Sequence, residues 1–140
     1  MKHEPIIREI VIDAPVEKAW QAITDKEQMK QWYFDLAEFR AEPGFEFHFF
    51  GGPPEKQYKH LCKVVEVVPN KKISYTWRYD GYPGDSLVTF ELFPENGKTR
   101  VRLTHSGIET FGDEPDFAKK NFEAGWSEII GKLLPGFLSK

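Results

Sequence analysis

Residues 72–106 read KISYTWRYDGYPGDSLVTFELFPENGKTRVRLTHS and carry the clearest structural signal in the chain. Apolar and polar side chains alternate there with a period of two, which is typical of a strand with one buried face. A glycine- and proline-rich turn at 81–84 interrupts the alternation once. Asn96-Gly97, a pair that favours a tight hairpin turn, interrupts it again. The stretch therefore predicts three consecutive antiparallel strands.

In each of the three strands the large apolar residues occupy every second position, so they share one face of the strand. These inward-facing positions are Ile73, Tyr75, Trp77 and Tyr79, then Val88, Phe90 and Leu92, and finally Val101, Leu103 and His105. The opposite parity of the last strand carries Arg100, Arg102 and Thr104. We expect the first set to face an interior and the second set to face solvent, because side chains alternate across a sheet.

Further strands are predicted on the N-terminal side of this stretch. Phe45, Phe47 and Phe49 alternate with polar residues, glycines and prolines break the run at 51–54, and a longer strand follows up to a turn at Pro69-Asn70. Residues 6–13 are rich in β-branched side chains and predict the opening strand. The sheet is expected to contain six or seven strands.

Two short helices are predicted after the opening strand. Apolar residues from Val16 to Ile23 recur at three- and four-residue spacing, which favours an amphipathic helix. A second helix of about two turns is predicted to present Met29 and Trp32 inward. Thr24 and Glu27 have the spacing of a capping box at its start.

A long helix is predicted at residues 115–134. Acidic residues at 113–116 and Pro115 are typical of a helix start, and Pro135-Gly136 predicts its end. Its apolar stripe is formed by Phe117, Phe122, Trp126, Ile129, Ile130, Leu133 and Leu134. A helix with one apolar stripe and a sheet with one aromatic face bury each other, which predicts a two-layer α+β fold.

Composition narrows the class of protein. The chain has 140 residues, 40% of them hydrophobic and 15% aromatic, so we expect one domain spanning 1–140 with a large core. The net charge of −3 lacks the positive excess of a nucleic-acid-binding protein. There is a single cysteine, Cys62, and no apolar signal segment or membrane span is visible. We expect a cytoplasmic protein with no nucleic-acid or membrane partner.

Several separated segments resemble one known family. They are residues 10–20 (IVIDAPVEKAW), Trp32, residues 67–77 (VVPNKKISYTW) and Gly125-Trp126. In this order they resemble the helix-grip, START-like (SRPBCC) superfamily, and within it the bacterial branch similar to the activator of heat-shock-protein-90 ATPase. The resemblance covers roughly residues 6–134.

The resemblance implies a curved antiparallel sheet wrapped around the C-terminal helix. It also implies a cavity between the two, which in many relatives holds an apolar small molecule. Pro135 departs from the family pattern, since many relatives continue the helix there; we expect it to end or kink the last turn. The branch also implies a link to the stress response through a chaperone.

We expect the cavity wall to consist of residues on the inward-facing side of the strands and on the inner side of the last helix. Its candidate ligand-binding residues are Trp32, Trp77, Tyr79, Phe90, His105, Phe122 and Trp126. His105 either offers a hydrogen bond to a ligand or is satisfied by protein or water; the second is the simpler interpretation. Trp126 either belongs to the core or offers its indole N–H to a ligand.

Gly125 requires an explanation, because a glycine inside a helix costs about 1 kcal/mol relative to alanine. Close contact with the sheet is the more common reason, and room left for a ligand is the alternative.

No catalytic constellation is recognisable in the sequence. There is no zinc-protease, nucleophile-elbow or phosphate-loop motif. His60 and Cys62 share a strand face, but two ligands do not make a metal site, and we interpret them as a surface pair. No cofactor and no metal are expected.

Three functions remain open. The first is non-enzymatic binding of an apolar or amphipathic small molecule in the cavity. The second is an interaction protein that contacts a chaperone or forms a homodimer through the outer sheet face or the short helices. The third is an enzyme of cyclase or hydrolase type, for which His105 is the one candidate acid or base.

Overall fold

The computed structural model describes residues 4–36, 38–52, 55–112 and 115–139. Six strands are present in this part of the chain: β1 Ile6–Ile12, β2 Glu46–Gly51, β3 Tyr58–Val68, β4 Lys72–Tyr79, β5 Ser86–Glu95 and β6 Lys98–Ser106. The helices are α1 Val16–Thr24, α2 Lys26–Trp32, α3 Lys119–Glu128 and α4 Leu134–Leu138. Short 3-10 helices span Ile108–Phe111 and Pro115–Phe117, and a π-helical turn spans Ile129–Leu133.

The strands form one antiparallel sheet in the order β1-β6-β5-β4-β3-β2. Each hairpin from β2 to β6 places consecutive strands side by side, whereas β1 crosses to the far edge and pairs with β6 from Ile6↔His105 to Ile12↔Thr99. A register shift between Val64 and Glu66 marks an irregularity in β3. The predicted meander and its antiparallel pairing are confirmed, with six strands.

The predicted turns contain residues in the left-handed backbone conformation. At the β5–β6 hairpin, Asn96 has φ 53° and Gly97 has φ 82°. Two consecutive residues with positive φ are what a tight hairpin turn requires, and asparagine and glycine tolerate that conformation best. Asn70, at the β3–β4 turn, also has a positive φ of 64°. The sequence signals for both turns therefore have a direct backbone cause.

The inner face of the sheet carries the core, as the alternation predicts. All of the inward-facing residues predicted on β4, β5 and β6 are buried, and Phe47 and Phe49 of β2 join them. The short helices α1 and α2 bury Ala19, Ala22 and Ile23 and then Met29 and Trp32 against this core. The C-terminal helix covers the remaining part of the inner face.

The start of the C-terminal helix differs from the prediction. A 3-10 turn at Pro115–Phe117 comes first, and the α-helix begins at Lys119 with Ala118 as its N-cap. The turn lets the Phe117 ring stack on Tyr79 with ring centroids 4.0 Å apart. The expected capping acids at 113 and 114 lie outside the described residues.

The end of this helix was predicted wrongly. It continues through Pro135 to Leu138, because a π-helical turn at Ile129–Leu133 directly precedes the proline. Proline blocks an ordinary helix interior since its ring meets the carbonyl four residues earlier and its nitrogen donates nothing. The wider turn changes the local spacing and admits Pro135 in the first turn of α4.

The predicted capping box at α2 was also wrong. Thr24 is the last residue of α1, and its hydroxyl donates to the Trp20 carbonyl at 2.6 Å. Asp25 is the N-cap residue of α2 and makes no side-chain capping hydrogen bond.

Within the described residues, no helix has the length and apolar character needed to cross a bilayer.

Candidate functional site

A cavity of about 430 Å³ lies between the C-terminal helix and one half of the sheet. Its floor comes from the adjoining ends of β2, β3 and β4, and its roof comes from α3 and the 3-10 turn before it. The lining residues are Phe34, Gly51, Gly52, Tyr58, His60, Trp77, Tyr79, Phe117, Asn121, Phe122, Gly125, Trp126 and Ile129. Such a volume, with mostly aromatic walls, is typical of small-molecule sites.

Gly125 lies in the roof of this cavity. A Cβ atom built at this position meets no other atom within 4 Å, apart from its chain neighbours and its own helix backbone. The expectation that Gly125 allows close contact with the sheet is therefore wrong. Gly125 is exposed, so the space left by its missing side chain lies at the open edge of the cavity.

A chain of buried hydrogen bonds runs behind the cavity wall. The Trp126 Nε1–H donates to His105 Nδ1 at 3.0 Å. Because an indole nitrogen only donates, Nδ1 is the acceptor and the imidazole proton sits on Nε2, which donates to Ser86 Oγ at 2.8 Å. Ser86 Oγ in turn donates to the Trp77 carbonyl at 2.6 Å. Every donor in this chain has an acceptor.

This chain determines what His105 and Trp126 are able to do. His105 is fully buried, and burial lowers its pKa to about 3. Both of its ring nitrogens are bonded to protein, which is the simpler of the two interpretations of the sequence. The histidine stays neutral near pH 7 and holds the Trp126 ring in place, an arrangement that gives no support to a role as general acid or base. The Trp126 N–H is likewise used within the protein.

His60 and Cys62 are buried, so their interpretation as a surface pair was wrong. Both point to the inner face of β3, where burial lowers the pKa of His60 to about 4 and raises the pKa of the Cys62 thiol. The His60 Nδ1–H donates to the Tyr58 carbonyl at 3.0 Å, and its ring stacks on Phe49. Among the described residues, no three His, Cys, Asp or Glu side chains are grouped to hold a metal ion.

The structure places four of the seven candidate residues in the cavity lining, namely Trp77, Tyr79, Phe122 and Trp126. The other three, Trp32, Phe90 and His105, are buried outside it. Trp32 donates its N–H to the Ala22 carbonyl, and Phe90 contacts Trp32 and Trp126 edge to face. Their part in ligand binding stays a prediction.

Some lining residues were missed because they come from loops or strand ends. Phe34 follows α2, and Gly51 ends β2. A Cβ atom at Gly51 would lie 3.1 Å from the Phe34 ring and 3.2 Å from the His60 ring. A side chain at this position would require these rings to move by a few tenths of an ångström. The Gly51-Gly52 pair was a usable sequence signal for this close approach.

The family model described as Activator of Hsp90 ATPase homolog 1-like protein matches residues 13–135. The chain belongs to this family. The fold described above, a curved antiparallel sheet with two short helices after β1 and a long C-terminal helix, is the helix-grip fold of the SRPBCC superfamily.

One curated relative of this activator-like domain is a mouse protein, "Activator of 90 kDa heat shock protein ATPase homolog 2". It is 30% identical over 130 residues, which are 91% of this chain and 36% of the mouse protein. The chain therefore spans little more than a third of that relative's length.

Two solved structures of similar size share the fold of this activator-like domain. The Bacillus halodurans protein BH1534 is 28% identical, with a TM-score of 0.74 and coverage of 96% of both chains. The Mesorhizobium loti protein MLL2253 is 26% identical, with a TM-score of 0.77 and coverage of 97% of both chains.

Proposed function

We propose that this protein binds an apolar or amphipathic small molecule in the cavity between the C-terminal helix and the sheet. The observation that carries the proposal is the cavity of about 430 Å³ beneath α3, which is lined by the rings of Trp77, Tyr79, Phe122 and Trp126 and has the exposed Gly125 at its edge. The volume lies in the range of small-molecule sites, and the wall is mostly aromatic.

The helix itself also supports this proposal. A glycine at 125 lowers helix stability by about 1 kcal/mol relative to alanine. Since a Cβ atom would fit there without contact, the protein fold does not require the glycine. Room for a bound molecule is a reason that both observations share.

The proposal is tested by filling the cavity from its roof. The probe is N-phenyl-1-naphthylamine, an uncharged dye whose fluorescence rises in an apolar site. We expect saturable binding to the wild type and at least about tenfold weaker binding to Gly125→Leu, because the added side chain occupies the open space. Ala124→Leu is the matched control, since Ala124 is the exposed neighbour on the same helix.

The control variant is expected to bind like the wild type. Absence of saturable binding to the wild-type protein, or equal affinity in Gly125→Leu and wild type, would contradict binding in this cavity. Thermal melting of all three proteins shows whether they are folded during the measurement.

Family membership and the outer sheet face favour a second candidate, contact with a chaperone of the 90-kDa heat-shock class. Lys59, Lys63 and Arg78 lie together on the outer face of β3 and β4, beside Glu46 and Asp85, and none of these five side chains forms an ion pair within the described part of the chain. Phe50, on the neighbouring β2, is 59% exposed. An exposed ring beside three cations and two acids forms a partly positive face, which suits an acidic protein surface.

The chaperone contact is tested with purified 90-kDa heat-shock protein and the activator-like chain in a calorimetric titration. Arg78→Glu is expected to weaken binding, whereas Lys98→Glu, an exposed lysine at the β5–β6 hairpin, is the control and leaves it unchanged. No heat of binding with the wild-type chain would contradict this candidate. Sedimentation of the chain alone shows whether a second copy uses the same face instead.

A further inference from the structure

We infer that the Tyr79 hydroxyl is the hydrogen-bond donor that orients the bound molecule, and that this molecule is uncharged and presents a carbonyl or ether oxygen to it. The inference rests on the proposed binding function and adds the chemical class of the ligand. It starts from the hydrogen bonds of the cavity wall.

The Tyr79 hydroxyl has one partner among the described residues, and that partner is a donor. The Trp77 Nε1–H donates to Tyr79 Oη at 3.0 Å, so the phenol oxygen acts as an acceptor in this bond. No acceptor for the phenol's own proton is found in the described part of the chain. A buried donor without an acceptor is unfavourable, and an acceptor on a ligand would satisfy it.

The Tyr79 ring is held so that its hydroxyl stays in one place. Phe117 stacks on it at 4.0 Å with an interplanar angle of 12°, and Tyr58 and Phe111 contact it edge to face. Burial raises the pKa of the phenol well above neutral pH, so it keeps its proton. The bond from Trp77 withdraws electron density from the oxygen and makes its O–H a stronger donor.

Three further ring donors of the wall are already used. Trp77, Trp126 and His60 each donate a ring N–H to another protein group. Among these ring groups, the Tyr79 O–H is the one whose proton has no acceptor in the described protein. Tyr58 and Asn121, the remaining polar side chains of the wall, have interactions of their own, so we assign the orientation of a ligand to the Tyr79 O–H.

The charge of the ligand follows from the same lining. None of the described lining residues is an aspartate, glutamate, lysine or arginine. Burial lowers the pKa of His60 to about 4, so this imidazole is neutral near pH 7. An ion moved into such a site would lose its hydration without gaining a counter-charge, which is strongly unfavourable. A neutral molecule with an oxygen acceptor fits both the charge and the donor.

The test uses two uncharged probes of similar shape. Benzophenone has a carbonyl between its rings, and diphenylmethane has a methylene there. The affinity ratio of benzophenone to diphenylmethane is measured by isothermal titration on wild type, Tyr79→Phe and Tyr33→Phe. Tyr33 is the matched control, because its hydroxyl bonds to the Tyr75 hydroxyl at 2.7 Å and does not line the cavity.

We expect Tyr79→Phe to lower this ratio by about two- to tenfold, the typical range for one hydrogen bond, while diphenylmethane still binds. Tyr33→Phe is expected to keep the wild-type ratio. The anion 4-benzoylbenzoate is expected to bind more weakly than benzophenone.

An unchanged ratio in Tyr79→Phe would overturn the inference and leave the proposed function standing. Failure of both neutral probes to bind the wild-type protein would overturn the two together. The infrared carbonyl stretch of benzophenone bound to the wild type gives a measurement that needs no variant. We expect it at lower frequency than in hexane, and a hexane-like frequency would also overturn the inference.

Discussion

At the scale of single residues, Gly125 is a position where the fold does not require a glycine. Nothing in the protein contacts the position that its side chain would occupy. Alanine there should therefore stabilise the helix without strain. Under the proposed binding function, the wild-type chain gives up this stability for room beside the ligand, which is the pattern expected where function and stability compete.

We predict that Gly125→Ala raises the free energy of unfolding by about 1 kcal/mol, because alanine is the better helix former and its methyl group meets no atom. Urea unfolding followed by circular dichroism measures the change. A loss of stability would mean that the helix backbone at this position lies in close contact with its surroundings.

At the scale of elements, the C-terminal helix changes its inward face at the π-helical turn. The apolar stripe in the sequence places both Leu133 and Leu134 inward. In the structure Leu134 is fully buried, whereas Leu133 is 39% exposed. The wider turn at Ile129–Leu133 shifts the phase of the residues that follow it. The shift brings Leu138 into the core together with Leu134.

We predict that two neighbouring substitutions differ sharply. Leu134→Ala is expected to cost about 2–5 kcal/mol because it opens a cavity in the core. Leu133→Ala, one residue earlier, is expected to change stability by less than about 0.5 kcal/mol. Chemical denaturation of both variants provides the comparison. Equal losses would contradict the phase shift of the helix.

Element prediction from sequence succeeded where the pattern was local. The alternation of β4, β5 and β6 and the Asn96-Gly97 turn depend on neighbouring residues alone, and the structure confirms them. The passage of the helix through Pro135 could not be predicted, since a π-helical turn has no characteristic residue pattern. Its start was misplaced because Phe117 takes up a distant contact with Tyr79.

The cavity was only partly predictable for a related reason. The alternation along a strand identifies the face of the sheet to which a side chain points, and on that basis Trp77 and Tyr79 are predicted to line the wall. Parity does not give the position along the sheet, so Phe90 and His105 share the face without lining the cavity. Phe34 and Gly51 reach the wall through loop and edge geometry, which the sequence does not encode in any simple period.

At the scale of the whole molecule, buried histidines make stability depend on pH. Burial lowers the pKa of His105 to about 3 and of His60 to about 4, from an ordinary value of 6.5. Below pH 6.5 the unfolded chain takes up protons that the folded chain does not. The stability that these two neutral histidines contribute is therefore fully present above pH 6.5, and it is lost as the pH falls toward their folded-state pKa values.

We predict a free energy of unfolding that falls between about pH 5.5 and about pH 4, with each buried histidine contributing about 1.4 kcal/mol per pH unit. His105→Gln is expected to make this slope shallower by about that amount, whatever its effect at pH 7. His48→Gln, at an exposed histidine, is expected to keep the wild-type slope. Unchanged slopes in both variants would show that His105 accepts a proton in the folded state.

The pairing of β1 with β6 also bears on how the molecule assembles. Ile6 lies opposite His105, so β1 pairs, within the described sheet, with β6, the last of the six strands in sequence. During synthesis on a ribosome, β1, α1 and α2 emerge long before the strand that completes their layer. Contacts between such distant positions slow folding, because a large loop must close before they are gained. The nascent chain therefore keeps β1 unpaired until residues 98–106 have been synthesised.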